Sequence, residues 1–180
     1  MNRQTLRDWL LLVFLVTTSL SGCASDTVRH GFKFDARIDS PDIEILDYQY
    51  GDSKVHAARA NPARVNEGLI PQNAAIYGDI RRPEFLYVKW RVKNTQNTHE
   101  DNVDLRSRLP SNIKDHGVYF IVEGAQLYVY LISPERLDPN PCPDRDKLLR
   151  LQQSSEPDDR IYAHYCFRKI TRIYPDRKGN

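Results

Sequence analysis

Two apolar runs, Val118 to Glu123 and Gln126 to Ile132, are separated only by Gly124-Ala125. Glycine in the first position of a two-residue loop accepts the positive φ of a type II′ turn, so the runs are predicted to fold back as a tight β-hairpin. The turn sets the register: Val118 opposite Leu131, Phe120 opposite Val129 and Val122 opposite Leu127 on one face. Tyr119 opposite Tyr130 and Ile121 opposite Tyr128 make the other. An antiparallel pair with one face in water is apolar on one side only. Here both sides are apolar, so the hairpin is either central in a sandwich or keeps one face for a partner.

Period-2 alternation with β-branched and aromatic residues marks further strands. Ile43 to Tyr50 reads as one, stopped by Gly51-Asp52, and Phe85 to Lys93 as a second, with Leu86, Val88, Trp90 and Val92 on one face. With Asn94-Thr95-Gln96-Asn97 as the turn, the chain resumes at His99 to Leu105, and Val88 is expected opposite Val103, Leu86 opposite Leu105 and Arg91 opposite Glu100. Asp144 is placed to cap a short helix through Leu148, Leu149 and Leu151. Arg160 to Ile173 is expected to close the fold as a last strand. Ser53 to Pro83, interrupted by Pro62, Gly68, Pro71, Gly78 and Pro83, reads as a long irregular loop, pinned to the sheet, binding a partner, or both. The expected fold is mainly β: an antiparallel β-sandwich or partly open barrel with one short helix and that loop.

The N-terminus is of another kind. Arg3 and Arg7 precede the apolar run Leu10 to Val16, and small residues follow it. This is the pattern of a secretory signal, and the run is too short to span a bilayer. Leu20-Ser21-Gly22-Cys23 resembles the lipobox of bacterial lipoproteins, which implies cleavage before Cys23 and lipid on its sulfur. Ala24 stands where an aspartate would mark inner-membrane retention, so the resemblance implies an outer-membrane anchor with the domain facing the periplasm. Residues 1–22 are then the signal, 23–42 the lipidated cysteine and a flexible tether with a typical span of about 25 Å, 43–175 a single β-rich domain, and 176–180 a tail. Removing Arg3, Arg7 and Asp8 with the leader leaves 24 basic and 23 acidic side chains in 158 residues. So even a balance carries no electrostatic footprint for nucleic acid.

With Cys23 lipidated, Cys142 and Cys166 remain, in a compartment that permits disulfides. No CxxC or ligand spacing supports a redox or metal pair, and a structural disulfide is expected. No Gly-x-Ser-x-Gly elbow, phosphate-cradling glycine loop or HExxH is present. His99, Glu100, Asp101 and Asp104 offer two ligands per strand face at most. Asp115-His116 and Ser111 near His116 are adjacent only in sequence. The chain is therefore expected to be a binding protein, with no catalytic residues, metal or cofactor. Its ten tyrosines all follow Cys23, and tyrosine supplies large contact area at low entropic cost. The expected partner-binding residues are Leu69, Ile70, Tyr77, Tyr87, Tyr128 and Tyr130.

The segments Asp39 to Gly51, Phe85 to Lys93, Val103 to Pro110, Gln126 to Ile132 and Lys169 to Pro175 together resemble small bacterial lipoproteins encoded beside type VI secretion phospholipase effectors, where they act as immunity proteins. The likeness spans most of residues 39–175. It implies non-catalytic, stoichiometric occlusion of a secreted lipase by a membrane-tethered inhibitor. Two other binding roles remain: a structural or assembly lipoprotein of a secretion envelope, which has the same length and fold class, and a lysozyme-inhibitor-like lipoprotein, which would bind a glycoside hydrolase.

Overall fold

The hairpin expected at Gly124-Ala125 lies inside the larger of two sheets. Strand β6 (Gly117–Glu123) and β7 (Gln126–Arg136) pair as the sequence dictates, from Val118 opposite Leu131 to Val122 opposite Leu127. Gly124 has φ +55°. The computed structural model describes residues 27–176. Cys23 and the signal segment lie outside the described residues, as does most of the expected tail.

The five-stranded sheet runs β3-β1-β6-β7-β8, with β1 Thr27–Asp35, β3 Asn73–Arg81 and β8 Arg168–Tyr174. A three-stranded antiparallel sheet, β2-β4-β5, is made of Ile43–Tyr50, Phe85–Val92 and Thr98–Asp104. Four short helices complete the described chain: α1 Ala36–Asp39, α2 Pro62–Glu67, α3 Arg145–Gln152 and α4 Pro157–Tyr165. The fold is a mainly β sandwich of two sheets, open rather than barrel-closed.

The expected tether is the first correction. Residues 27–35 form β1, antiparallel to β3 over nine residue pairs and parallel to β6 over Gly31–Lys33. His30, Phe32 and Phe34 alternate inward and are buried, which single-segment composition, dominated by charges, concealed. Phe32 stacks on Tyr50 at 4.4 Å, Phe34 on Phe120 at 4.5 Å, and Phe34 meets Tyr48 edge-on at 4.9 Å. These rings join both sheets in one core with Ile45, Leu86, Val88, Trp90, Val122 and Val129.

Tyr48 and Tyr50 point inward along with Ile43 and Ile45 because a bulge at Leu46 shifts the β2–β4 register between Ile45 and Asp47. The free edge of β2 is covered by the expected loop. Tyr50 donates its amide to the Ala58 carbonyl at 2.8 Å, and Ala60 donates to Tyr48 at 2.9 Å. Further along, the Gln72 side chain accepts from the Ile45 amide at 2.7 Å and donates to its carbonyl at 3.0 Å. The Ser53–Pro83 segment is thus pinned down, and it contains α2 and β3. Capping this edge removes the strand's aggregation hazard.

The β4–β5 register differs from expectation by two residues. Leu86 faces Val103, Lys89 faces Glu100 and Arg91 faces Thr98. The turn begins one residue earlier than read: the Val92 amide donates to the Asn97 carbonyl and Gln96 takes φ +59°. A two-residue shift keeps every side chain on its own face, so Leu86, Val88, Trp90 and Val103 are buried regardless.

Asp144 caps α3 as expected, accepting from the Lys147 amide at 2.8 Å. The expected strand from Arg160 is instead α4 followed by the shorter β8. Pro157 stands in the first turn with Asp158 and Asp159, which favours a helix start. The disulfide Cys142–Cys166, Cα atoms 5.1 Å apart, closes the α3–α4 hairpin at its base and bridges 24 residues. Such a loop contributes about 3 kcal/mol on the chain-entropy estimate. It seats α4 on the outer face of the large sheet, where Ile161 packs with Tyr119, Ile121, Tyr130 and Ile132.

Two outcomes follow. A chain begun at Asp26 should unfold cooperatively by circular dichroism, whereas one begun at Asp42 should not, having lost the strand between β3 and β6. His30 is fully buried, its Nδ1 is 2.7 Å from the Val28 carbonyl, and its Nε2 has no partner among the described residues. Burial holds its pKa below the usual 6.5. Between the two values the unfolded chain takes up a proton that the native state refuses, so stability should fall as pH drops below about 6.5. His30→Asn keeps an N–H near the position of Nδ1. It should lower the melting temperature at pH 7 yet flatten its slope between pH 7 and 5.

Candidate functional site

On the outer face of the five-stranded sheet, α4 covers β6, β7 and β8 near Tyr130 but leaves the β3–β1 side open. Gly31 of β1 and Gly117 of β6 are paired neighbours on this face, and their missing side chains lower the floor. The result is a cleft of about 570 Å³. A Cβ on Gly31 would stand 3.4 Å from both the Ile76 carbonyl oxygen and the Tyr77 ring, so the floor has little room for a side chain.

Tyr77 lies opposite Gly31 on the adjacent β3 and is 57% exposed. Its hydroxyl donates to Asp115 at 2.6 Å, and the Arg29 guanidinium lies 5.2 Å from its ring centroid. Asp115, at φ +60°, is also 3.8 Å from Arg29. The tyrosine is thus exposed but fixed from two sides. The far wall is Tyr119, Tyr165, Phe167 and Arg168, and Lys33 reaches in with its ammonium 5.6 Å from the Tyr119 ring centroid.

Behind Tyr119 is a buried polar group. Asp39, at the end of α1, is 1% exposed; it accepts from the Tyr119 hydroxyl and pairs with His164 Nε2 of α4 at 2.7 Å. Burial and the Asp39 carboxylate push the Tyr119 phenol well above its usual pKa, so it stays a donor. Tyr165 meets Tyr119 edge-on at 5.9 Å. One carboxylate therefore locks α1, β6 and α4 together and fixes the cleft wall.

The residues expected to bind a partner do not form one surface. Tyr77 is at the cleft. Ile70 is buried and Leu69 beside it is exposed. Ile70 and Tyr87 line a separate groove of about 430 Å³ with Asp47, Val65, Lys89 and Arg91. The Tyr87 phenol is pushed up to about 12 by burial and by Glu100, to which it donates at 3.1 Å. Tyr128 is half-buried under the Arg172 guanidinium, 5.9 Å from its ring centroid. Tyr130 is 1% exposed beneath α4 and donates to Asp158 at 2.8 Å; its place is structural, because both hairpin faces are covered.

The residues weighed as metal ligands are engaged elsewhere. His99 stacks on Trp90, Asp101 accepts from Tyr174 at 2.7 Å, and Asp104 pairs with Arg106 at 2.8 Å. Among the described residues no three of His, Cys, Asp and Glu are grouped to hold a metal ion, and no helix is long and apolar enough to cross a membrane. The cleft lining holds Tyr77, Tyr119 and Tyr165, the cations Lys33 and Arg168, apolar groups, and the neighbours Asp115 and His116, whose Nδ1 lies 3.0 Å from the Lys114 carbonyl oxygen. Its rings and cations are suited to holding an aromatic or anionic surface.

Sequence reading missed Gly31, Lys33, Gly117, Arg168 and Asp39. The alternation of His30, Phe32 and Phe34 against Arg29, Gly31 and Lys33 was the one signal that could have placed β1. No known family, curated protein or solved structure matches this chain.

Asp39→Ala would leave the Tyr119 hydroxyl and His164 without their acceptor. It should cost about 2–4 kcal/mol in urea unfolding, and Asp39→Asn, which keeps one acceptor oxygen, clearly less.

Proposed function

We propose that this chain is a lipid-anchored periplasmic binding protein of the immunity kind, which occludes a phospholipase delivered by a type VI secretion system. The observation that supports binding is Tyr77: a large, exposed aromatic held rigidly by Arg29 and Asp115 over a glycine floor. Exposed tyrosines with little conformational freedom left to lose make interface anchors. The lipase as partner rests on the resemblance to immunity lipoproteins read in segments between residues 39 and 175, and the anchor on the resemblance of Leu20-Ser21-Gly22-Cys23 to a lipobox.

The position of β1 sharpens the anchor's role. Only three residues separate Cys23 from Thr27, the first residue of β1. The chain can span at most about 14 Å over that distance. A lipid on Cys23 would hold the inhibitor at the surface where a lipase must work, which raises its effective concentration there. Inhibition is by occlusion: the partner's mouth or lid is covered, and nothing is turned over.

Palmitate fed to cells should label the full chain and not Cys23→Ala. The chain from Asp26, mixed with the protein encoded next to it, should bind with a Kd of about 1 nM or below (about −12 kcal/mol) and abolish phospholipid hydrolysis. Tyr77→Ala should weaken that binding by about thirtyfold, the loss of a typical interface anchor. Binding without inhibition would assign an adaptor or secretion component, and no binding at micromolar protein would overturn the neighbour-specific inhibitor.

A further inference from the structure

We propose that the rim of the cleft around Arg136, Phe167 and Arg168 is a binding site for the phosphate headgroups of anionic phospholipids, in the membrane that holds the chain. The inference rests on the lipid-anchor reading and adds a second, electrostatic contact to it.

Arg136 of β7 and Arg168 of β8 are directly opposed across the strand pair. Like charges so placed are unfavourable unless an anion meets them. Both guanidiniums lie over the same ring, 5.3 Å and 5.5 Å from the Phe167 centroid. Between Ile132 and Arg136 the strand bulges against its partner, and Arg168 donates to the Ser133 and Pro134 carbonyls at 3.1 Å and 2.9 Å. The carbonyls hold Arg168 in place without neutralising it. Among the described residues neither arginine has a carboxylate within ion-pair distance. Two uncompensated guanidiniums over one ring, one of them held by carbonyls, match the paired oxygens of a phosphate. Phe167, Pro134 and Ile132 beside them give the cleft an apolar side.

Topology brings this rim to the anchor. β1 and β6 are parallel, β7 is antiparallel to β6, and β8 is antiparallel to β7. The start of β1, the end of β7 and the start of β8 therefore share one end of the sheet, with Arg29 and Arg81 exposed at the same end. Acidic groups at this end include Asp79, Glu135, the exposed Asp138 just past β7, and Asp115, the last already engaged by Tyr77 and Arg29. Three strand spacings, about 14 Å, separate β1 from β8. That matches the greatest reach of the three residues after Cys23. With the anchor inserted, the start of β1 is held within about 14 Å of Cys23, and cations at that end gain from an anionic surface. An acidic protein surface could satisfy the same charges, but the short link to Cys23 favours the bilayer.

The test uses the full chain, expressed in a bacterial envelope, purified with its processed N-terminus and placed in nanodiscs. One set is phosphatidylcholine alone; the other holds about one third phosphatidylglycerol. Hydrogen exchange at Ser133 to Leu137 and Phe167 to Lys169 should slow by up to roughly thirtyfold in the anionic discs, as expected for two surface arginines. Raised salt should erase the slowing, and so should Arg136→Gln with Arg168→Gln. The salt arm tests the unaltered chain even if the double variant folds poorly. Equal exchange in both discs, with the N-terminal peptide carrying lipid mass, would overturn the headgroup site and leave the anchor standing. An N-terminal peptide without lipid would overturn the anchor, and this inference with it. Slowing only when the neighbour-encoded protein is added would also overturn it and assign the rim to a protein partner.

Discussion

The sandwich depends on the insertion of β1 between β3 and β6. Without it the large sheet splits into β3 on one side and the β6-β7-β8 meander on the other, since β3 has no other strand neighbour. Phe32 and Phe34 enter the interior from this strand and touch rings from both sheets: Tyr48 and Tyr50 on one, Phe120 on the other. Each large aromatic contributes several kcal/mol through burial, with a smaller increment from ring geometry. A strand at the N-terminal end of the domain, parallel to one more than eighty residues later, also makes these contacts long-range. Their loop-closure entropy has to be met before they stabilise anything.

The same strand makes the site. Alternation sends Phe32 and Phe34 inward, so Gly31 and Lys33 face out. Gly31 meets Gly117 on one side and Tyr77 on the other, and the cleft is the space their missing side chains leave. Core and cleft are therefore two faces of one register. The α3–α4 hairpin, closed by Cys142–Cys166, covers the remaining part of the outer face, and the Asp39–Tyr119–His164 contact fixes its position. A buried carboxylate bonded from two elements is costly to strip of either partner, which makes the wall rigid.

Rigidity suits the proposed role. An inhibitor that presents fixed aromatics and cations loses less entropy on binding than one that must order a loop. The segment from Ser53 to Pro83 read as irregular because its prolines and glycines break periodicity. Yet Gln72 and residues 58–60 tie it along β2, and it ends in β3, so the long loop is part of the scaffold.

The sequence by itself determined the local structure. The hairpin about Gly124-Ala125, the inward faces of β4 and β5, the Asp144 cap and the Cys142–Cys166 bond all follow from spacing within a few residues or from two remaining cysteines. These rest on periodicity, turn chemistry and a short list of alternatives. Only the tertiary structure decided that residues 27–35 belong to the core, that Pro157–Tyr165 is a helix on the sheet, and that Tyr130 is buried while Tyr77 is exposed. It alone set Gly31 beside Gly117, Asp39 beside His164 and Arg136 opposite Arg168. The physical reason is that strand neighbours are chosen by the fit of whole surfaces. A pairing between residues 31 and 117 leaves no mark in either segment, whereas a turn or a helix cap is written where it acts.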